Sequence, residues 1–161
     1  MCLAEKIEVT TLKAPDIDAA RELVATYVRS LGIDLSFQDI DEELADFPAK
    51  YAEPKGTFLV AKDGARVVGC VGLRRLEDGV CEMKRLFVRD ECKGRGIGRD
   101  LVEAVIGEAR QKGYKRMRLD TLWHMKAAQM LYLSFGFYEI GSYVHNPIAG
   151  TVFMEKVLGN H

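Results

Sequence analysis

The chain has 161 residues, 48% of them hydrophobic and 29% charged, with a net charge of −1 at pH 7. That is one domain's worth of ordinary globular composition, enough to bury a proper core, and it excludes disordered and collagen-like chains. No apolar run reaches the length of a membrane span, and an isoelectric point near 6.3 without a base-reading motif argues against nucleic acid.

Other simple signals agree. Residues 1–6 lack the hydrophobic stretch of a signal peptide, and Cys2, Cys70, Cys81 and Cys92 show no C-x-x-C pairing. His124, His145 and His161 have no metal-ligand spacing. The expectation is a cytoplasmic protein in a reducing compartment, with no membrane and no metal. Charge is unevenly spread. Residues 1–50 hold eleven Asp or Glu against five Lys or Arg, a net −6, and residues 84–118 reverse the balance, eleven cations against five anions, +6.

In chain order, Lys6 to Leu12 reads as a strand. Pro15 opens a helix that has Ala19, Ala20, Leu23, Val24, Tyr27 and Val28 on one face and stops at Gly32. A short second helix over Asp39 to Phe47 carries Asp39, Asp41, Glu42, Glu43 and Asp46. That acidic run is expected to be a solvated face, with attraction of a cationic acceptor as the alternative. Strands at Thr57 to Ala61 and Arg66 to Arg74 flank a Lys62-Asp63-Gly64-Ala65 hairpin turn, and a turn at Glu77-Asp78-Gly79 leads into a central strand over 79–88. Strict alternation there would put Val80, Glu82, Lys84, Leu86 and Val88 on one face, and Cys81, Met83, Arg85 and Phe87 on the other. The next helix repeats Ile97, Leu101, Val102, Val105, Ile106 and Ala109 at helical spacing and ends at Gly113. Lys115 to Leu122 reads as a strand parallel to the central one, by the right-handed crossover rule. A helix near Met125 to Phe135, capped by Gly136, precedes short strands around Phe137 to Ile140 and Val152 to Val157.

Between the central strand and its helix lie Gly94, Gly96 and Gly98, amid the cations Arg89, Lys93, Arg95 and Arg99. The first amides of a helix lack partners inside it, and the dipole puts partial positive charge there. A phosphate or pyrophosphate is the natural guest. The loop is no P-loop, because Arg99-Asp100 follows Gly98 in place of Lys and Ser or Thr. A dinucleotide-binding loop is the alternative. Asp120 would be its ribose acid, but Arg99 stands where its third glycine belongs.

The spacing that fits is Lys93-x-x-Gly96-x-Gly98, with Ala128-x-x-x-Tyr132-x-x-x-Gly136-Phe137 downstream. Together these resemble the acetyl-coenzyme A loop and the following helix of the GCN5-related N-acetyltransferase (GNAT) family, whose loop is usually Gln/Arg-x-x-Gly-x-Gly/Ala. Lys93 departs from that first position. The resemblance covers nearly the whole chain, most strongly Gly56 to Phe137. It implies one GNAT-like α/β (α+β) domain over 1–161, with a mixed six- or seven-stranded sheet, helices on both faces and splayed central strands.

It also implies acetyl-coenzyme A as acyl donor and a primary amine as acceptor, on a small molecule or a peptide. Lys93, Gly94, Arg95, Gly96, Ile97, Gly98 and Arg99 would hold the pyrophosphate. The backbone of Leu86, Phe87 and Val88 would pair with the pantetheine amides. Met125 stands where many relatives have an asparagine near the pantetheine. The 143–147 segment would help to line the acceptor pocket, and a homodimer is left open.

An alkylammonium with pKa about 10.4 leaves roughly one molecule in 2,500 deprotonated at pH 7, so a positioned base is useful. Glu82, six residues before Val88, stands where the family often has its glutamate base. Otherwise it is an exposed carboxylate paired with Lys84 or Arg85. Tyr132 is at the family's general-acid position, or is simply core. A nucleophilic Cys81 or Cys92, a non-catalytic acyl-coenzyme A sensor and the dinucleotide binder are the competing readings. Retention of both Glu82 and Tyr132 argues against the sensor.

Overall fold

A computed structural model describes residues 7–32 and 39–159. Lys6, Cys2 and His161 therefore lie outside the described residues. The strands are β1 (Ile7–Thr11), β2 (Thr57–Asp63), β3 (Arg66–Glu77), β4 (Val80–Val88), β5 (Arg116–Leu122), β6 (Tyr138–Ile140) and β7 (Thr151–Val157). They form one seven-stranded sheet in the order β1-β2-β3-β4-β5-β7-β6, as the mixed-sheet expectation required. All neighbours are antiparallel except β4 and β5, which are joined through a helix and run parallel.

Helices α1 (Ile17–Leu31) and α2 (Ile40–Ala45) cover one face, and α3 (Ile97–Gln111) with α4 (Lys126–Ser134) covers the other. Pro15 sits in a single 3-10 turn before α1 rather than in the helix itself, and Gly32, at φ +64°, closes it with an N–H bond to the Arg29 carbonyl. In α3, Ile97, Leu101, Val102, Val105, Ile106 and Ala109 are all buried against the sheet. Truncating a core residue such as Leu101 to Ala would cost about 2–5 kcal/mol. Among the described residues no helix is long and apolar enough to cross a membrane.

One expectation fails on the central strand. Cys81 and Met83 pack on the α3 side, but so do Leu86 and Val88, whereas Phe87 packs on the α1 side. The alternation is broken at Arg85, whose φ is +62°. Between the pairs Cys70–Phe87 and Gly72–Lys84, β4 has one more residue than β3. This is a β-bulge, and one inserted residue inverts the facing of everything beyond it. Glu82 and Leu86 therefore belong to opposite faces of the sheet.

Candidate active site

Strands β4 and β5 pair only over Val80–Glu82 and Arg116–Arg118. Beyond Glu82 they part, and the gap is the centre of the site. On the α3 side a groove of about 680 Å³ runs from β4 past the start of α3 to α4, a volume suited to a large ligand. Leu86, Phe87, Val88, Lys93, Gly94, Gly96, Ile97, Gly98 and Arg99 all line it; Arg95 does not. Gly96 is the N-cap of α3 at φ +80°, a conformation that costs an L-residue roughly 1–2 kcal/mol. No side chain caps this helix, so its first amides are open to an anion.

The loop's cations are not equivalent. Arg99 donates to Ser134 Oγ at 3.1 Å and lies 5.0 Å from the Phe135 ring centre, which ties α3 to α4 beside the groove. Lys93 pairs with Asp90 at 2.9 Å. Arg89 is turned away, its Nε bonded to the Val67 carbonyl.

Against the groove, inside the splay, lies a second, narrower cavity of about 70 Å³. Both are lined by Tyr27, Leu31, Leu86, Met125 and Ala128, so they are contiguous. Met125, the N-cap of α4, stands at the junction and accepts a long contact from Thr121 Oγ1 at 3.8 Å. The cavity is further walled by Lys84 and Arg85 of β4, Asp120 and Thr121 of β5, Tyr132, and Asn146 and Ile148 of the β6–β7 loop.

Tyr132 is a core residue that also lines the cavity. Its ring is core, 5.8 Å from that of Phe137 and 7% exposed. Its hydroxyl makes no hydrogen bond among the described residues, although the residue lines the cavity. Burial pushes the phenol far above its usual range, and Tyr27 and Asp120 push it the same way. At neutral pH it is a proton donor only.

Glu82 is neither exposed nor paired as expected. It is 2% exposed; Arg74 donates to Oε1 at 2.8 Å, and the Tyr143 hydroxyl donates to Oε2 at 2.6 Å. Burial pushes its carboxyl up, but Lys84, Tyr143 and Arg74 outweigh that and hold it below the usual value. It stays ionised. It also stands behind the wall of the cavity rather than in it.

Arg85 is taken by Glu43 instead. Its guanidinium donates at 2.8 and 3.1 Å, and Tyr51 and Lys50 complete the cluster at 2.7 and 3.2 Å. Burial pushes the Glu43 carboxyl up, but its partners, Arg85 foremost, bring it down to about 2. The acidic run of α2 is thus not wholly a solvated face: Glu43 is the buried counter-ion of the bulge residue. The cysteine alternative loses its chemistry. Cys81 and Cys92 are fully buried, and burial pushes the Cys81 thiol up to about 12.

Sequence reasoning did not assign Tyr27, Arg74 or Glu43 to the site. Asp120 was considered only as a ribose acid. Tyr27 has helical core spacing, and nothing local marks it as a cavity wall.

Residues 20–137 match the acetyltransferase (GNAT) family. The chain belongs to that family. It is 41% identical over 157 residues to an uncharacterized N-acetyltransferase of Schizosaccharomyces pombe, covering 96% of each chain. Among solved structures, a GNAT-family acetyltransferase of Staphylococcus aureus superposes with a TM-score of 0.80 at 22% identity, covering 96% of this chain and all of that one. The PaiA N-acetyltransferase of Thermoplasma acidophilum, solved in complex with coenzyme A, superposes with a TM-score of 0.71 at 19% identity, over 94% and 99% of the two chains. At such identities these are likenesses of fold, and they are the GNAT fold.

Proposed function

We propose that this GNAT chain moves an acetyl group from acetyl-coenzyme A directly to a primary amine, residues 1–161 working as one domain. A single observation carries the reading: the groove at the start of α3 and the cavity beside Tyr132 share a wall, so a thioester carried along one emerges in the other. The PaiA relative's coenzyme A supports the choice of donor, and the S. pombe N-acetyltransferase supports the choice of acceptor.

In this reading the open amides of Gly96, Ile97 and Gly98 hold the pyrophosphate, with Lys93, Gly94, Arg95 and Arg99 around it. The free edge of Leu86, Phe87 and Val88 pairs with the pantetheine. The amine nitrogen attacks the thioester carbon and the carbon–sulfur bond breaks. Tyr132 donates a hydrogen bond to the departing sulfur. Its raised pKa makes complete proton transfer uphill by about 1.4 kcal/mol for every unit separating phenol and thiol, so the bond stabilises charge more than it delivers a proton. Glu82 takes the amine's proton through a bridging water, because it lies behind the cavity wall. The buried Cys70 and Cys81, neither in a disulfide, suit a reducing compartment, and we place the enzyme in the cytoplasm.

The test is thiol release from acetyl-coenzyme A across a panel of alkylamines, amino acids and peptides with free amines. Amine-dependent release that Glu82→Gln lowers about a hundredfold is expected. Tight coenzyme binding with no release from any amine would make the chain an acyl-coenzyme A sensor.

A further inference from the structure

Three residues that carry formal charge at neutral pH line the cavity in the splay: Lys84, Arg85 and Asp120. Arg85 is neutralised by its two-point contact with Glu43. Lys84 directs its charge at Glu82, whose carboxyl it helps to hold down. Asp120 has neither a hydrogen bond nor an ion pair from its side chain among the described residues. A carboxylate that is half-buried and lacks a counter-ion is costly, and proteins seldom keep one in a narrow cavity without use.

Its position is specific. Glu82 and Arg118 are the last residues paired between β4 and β5. Two residues further along each strand come Lys84 and Asp120, at the first level where the gap has opened. Leu119 packs into the α3-side core, so alternation turns Asp120 to the opposite face, the one that carries Glu82. The Asp120 charge acts on Tyr27 of α1, Tyr132 of α4 and Tyr143 of the β6–β7 loop, adding to the burial that raises all three phenols. Asp120 and Tyr132 line one cavity, at the level where the strands have parted.

We propose that Asp120 anchors the acceptor as its ammonium ion and so selects alkylamines that are cationic at neutral pH over aromatic amines and alcohols. The assignment rests on the acetyl-transfer reading and deepens it. The R–NH3⁺ group donates to the Asp120 carboxylate, a charge-assisted bond. Leu86, Leu119 and Leu122 are among the apolar residues that line the chamber around it. One ammonium proton then leaves through the water to Glu82, and the freed lone pair attacks the carbonyl while Asp120 keeps the nitrogen in place. Glu82 handles the proton; Asp120 handles binding and placement.

Two coenzyme A thioethers of equal size separate this from its alternatives: S-(2-aminoethyl)-coenzyme A, which carries an ammonium into the splay, and S-propyl-coenzyme A, which carries a methyl group there. Calorimetry at pH 7 should show the wild type binding the ammonium compound at least tenfold more tightly. Asp120→Asn should erase the difference, and Glu82→Gln should keep it. Equal affinities in the wild type overturn the proposal without any variant having to fold. A preference that survives Asp120→Asn overturns it as well. Coenzyme A itself is the control: if it does not bind, the acetyl-transfer reading fails and this assignment with it.

Discussion

The two sides of the splay are built on different principles. Just over half of the groove's lining comes from one continuous stretch, Leu86 to Arg99, and that stretch offers backbone: a strand edge not paired with β5, glycines and the open amides of α3. The cavity side is made of side chains from scattered elements: Tyr27, Arg85 and Asp120 line it, with Glu43 paired to Arg85 and Tyr143 to Glu82 outside its lining. Recognition by backbone demands a local sequence. Recognition by side chains demands only that distant residues converge. The first side should accordingly tolerate changes that leave its backbone alone, whereas the second should fail when one charge is removed.

The largest contrast should come from Glu43→Ala. The Arg85 side chain is 4% exposed, and removing its buried, two-point partner should cost about 3–5 kcal/mol in urea unfolding. A loss below 1 kcal/mol would mean that the cluster is ornamental. The same pair has a pH signature. The Glu43 carboxyl lies near 2 in the folded chain against 4.5 as a free group, so its contribution is complete above pH 4.5 and fades as pH falls towards 2. Glu43→Gln should flatten that acid limb.

Next in size is Glu82→Gln. It keeps the shape and one acceptor oxygen, the other becoming an NH2 donor, and cannot take a proton, so turnover should fall about a hundredfold with coenzyme affinity unchanged. A wild-type rate would reduce Glu82 to a structural anion that fixes Tyr143.

Gly98→Val tests the other side. A Cβ at Gly98 meets Leu131 at 3.5 Å and Val88 at 4.0 Å, ordinary contacts, so the fold should survive while the added methyls enter the groove. Coenzyme A affinity should drop at least tenfold, about 1.4 kcal/mol. Unchanged affinity by calorimetry would remove the phosphate loop from the account.

Tyr132→Phe is the mildest. The hydroxyl has no hydrogen bond to lose among the described residues, so the unfolding midpoint should hold, while single-turnover acetyl transfer slows about tenfold, the worth of one hydrogen bond to the leaving sulfur. Full activity would leave Tyr132 as core alone.

The same division explains what could be read in advance. Strand and helix periods from Thr57 to Val157 were plain, because hydrophobic spacing is local, and the groove followed from Lys93, Gly96 and Gly98. The face of Leu86 was misread because nothing in the letters around Arg85 marks a bulge; its left-handed backbone is held by a partner 42 positions away, Glu43. For the same reason α2 looked like a solvated acidic helix. Glu82 was found by its place in a family pattern, but Arg74 and Tyr143, which fix its charge, come from β3 and a late loop. Asp120 was noticed at the end of a strand, but its neighbours in the cavity come together only where β4 and β5 separate.

Amide hydrogen exchange with and without coenzyme A tests most directly the claim that backbone makes the groove. Free helix-terminal amides and unpaired strand edges exchange quickly until a ligand engages them. Coenzyme A should slow exchange over 86–88 and 94–99, and leave β1 and α2 as they were. Protection that appears elsewhere, with those segments unchanged, would contradict the account.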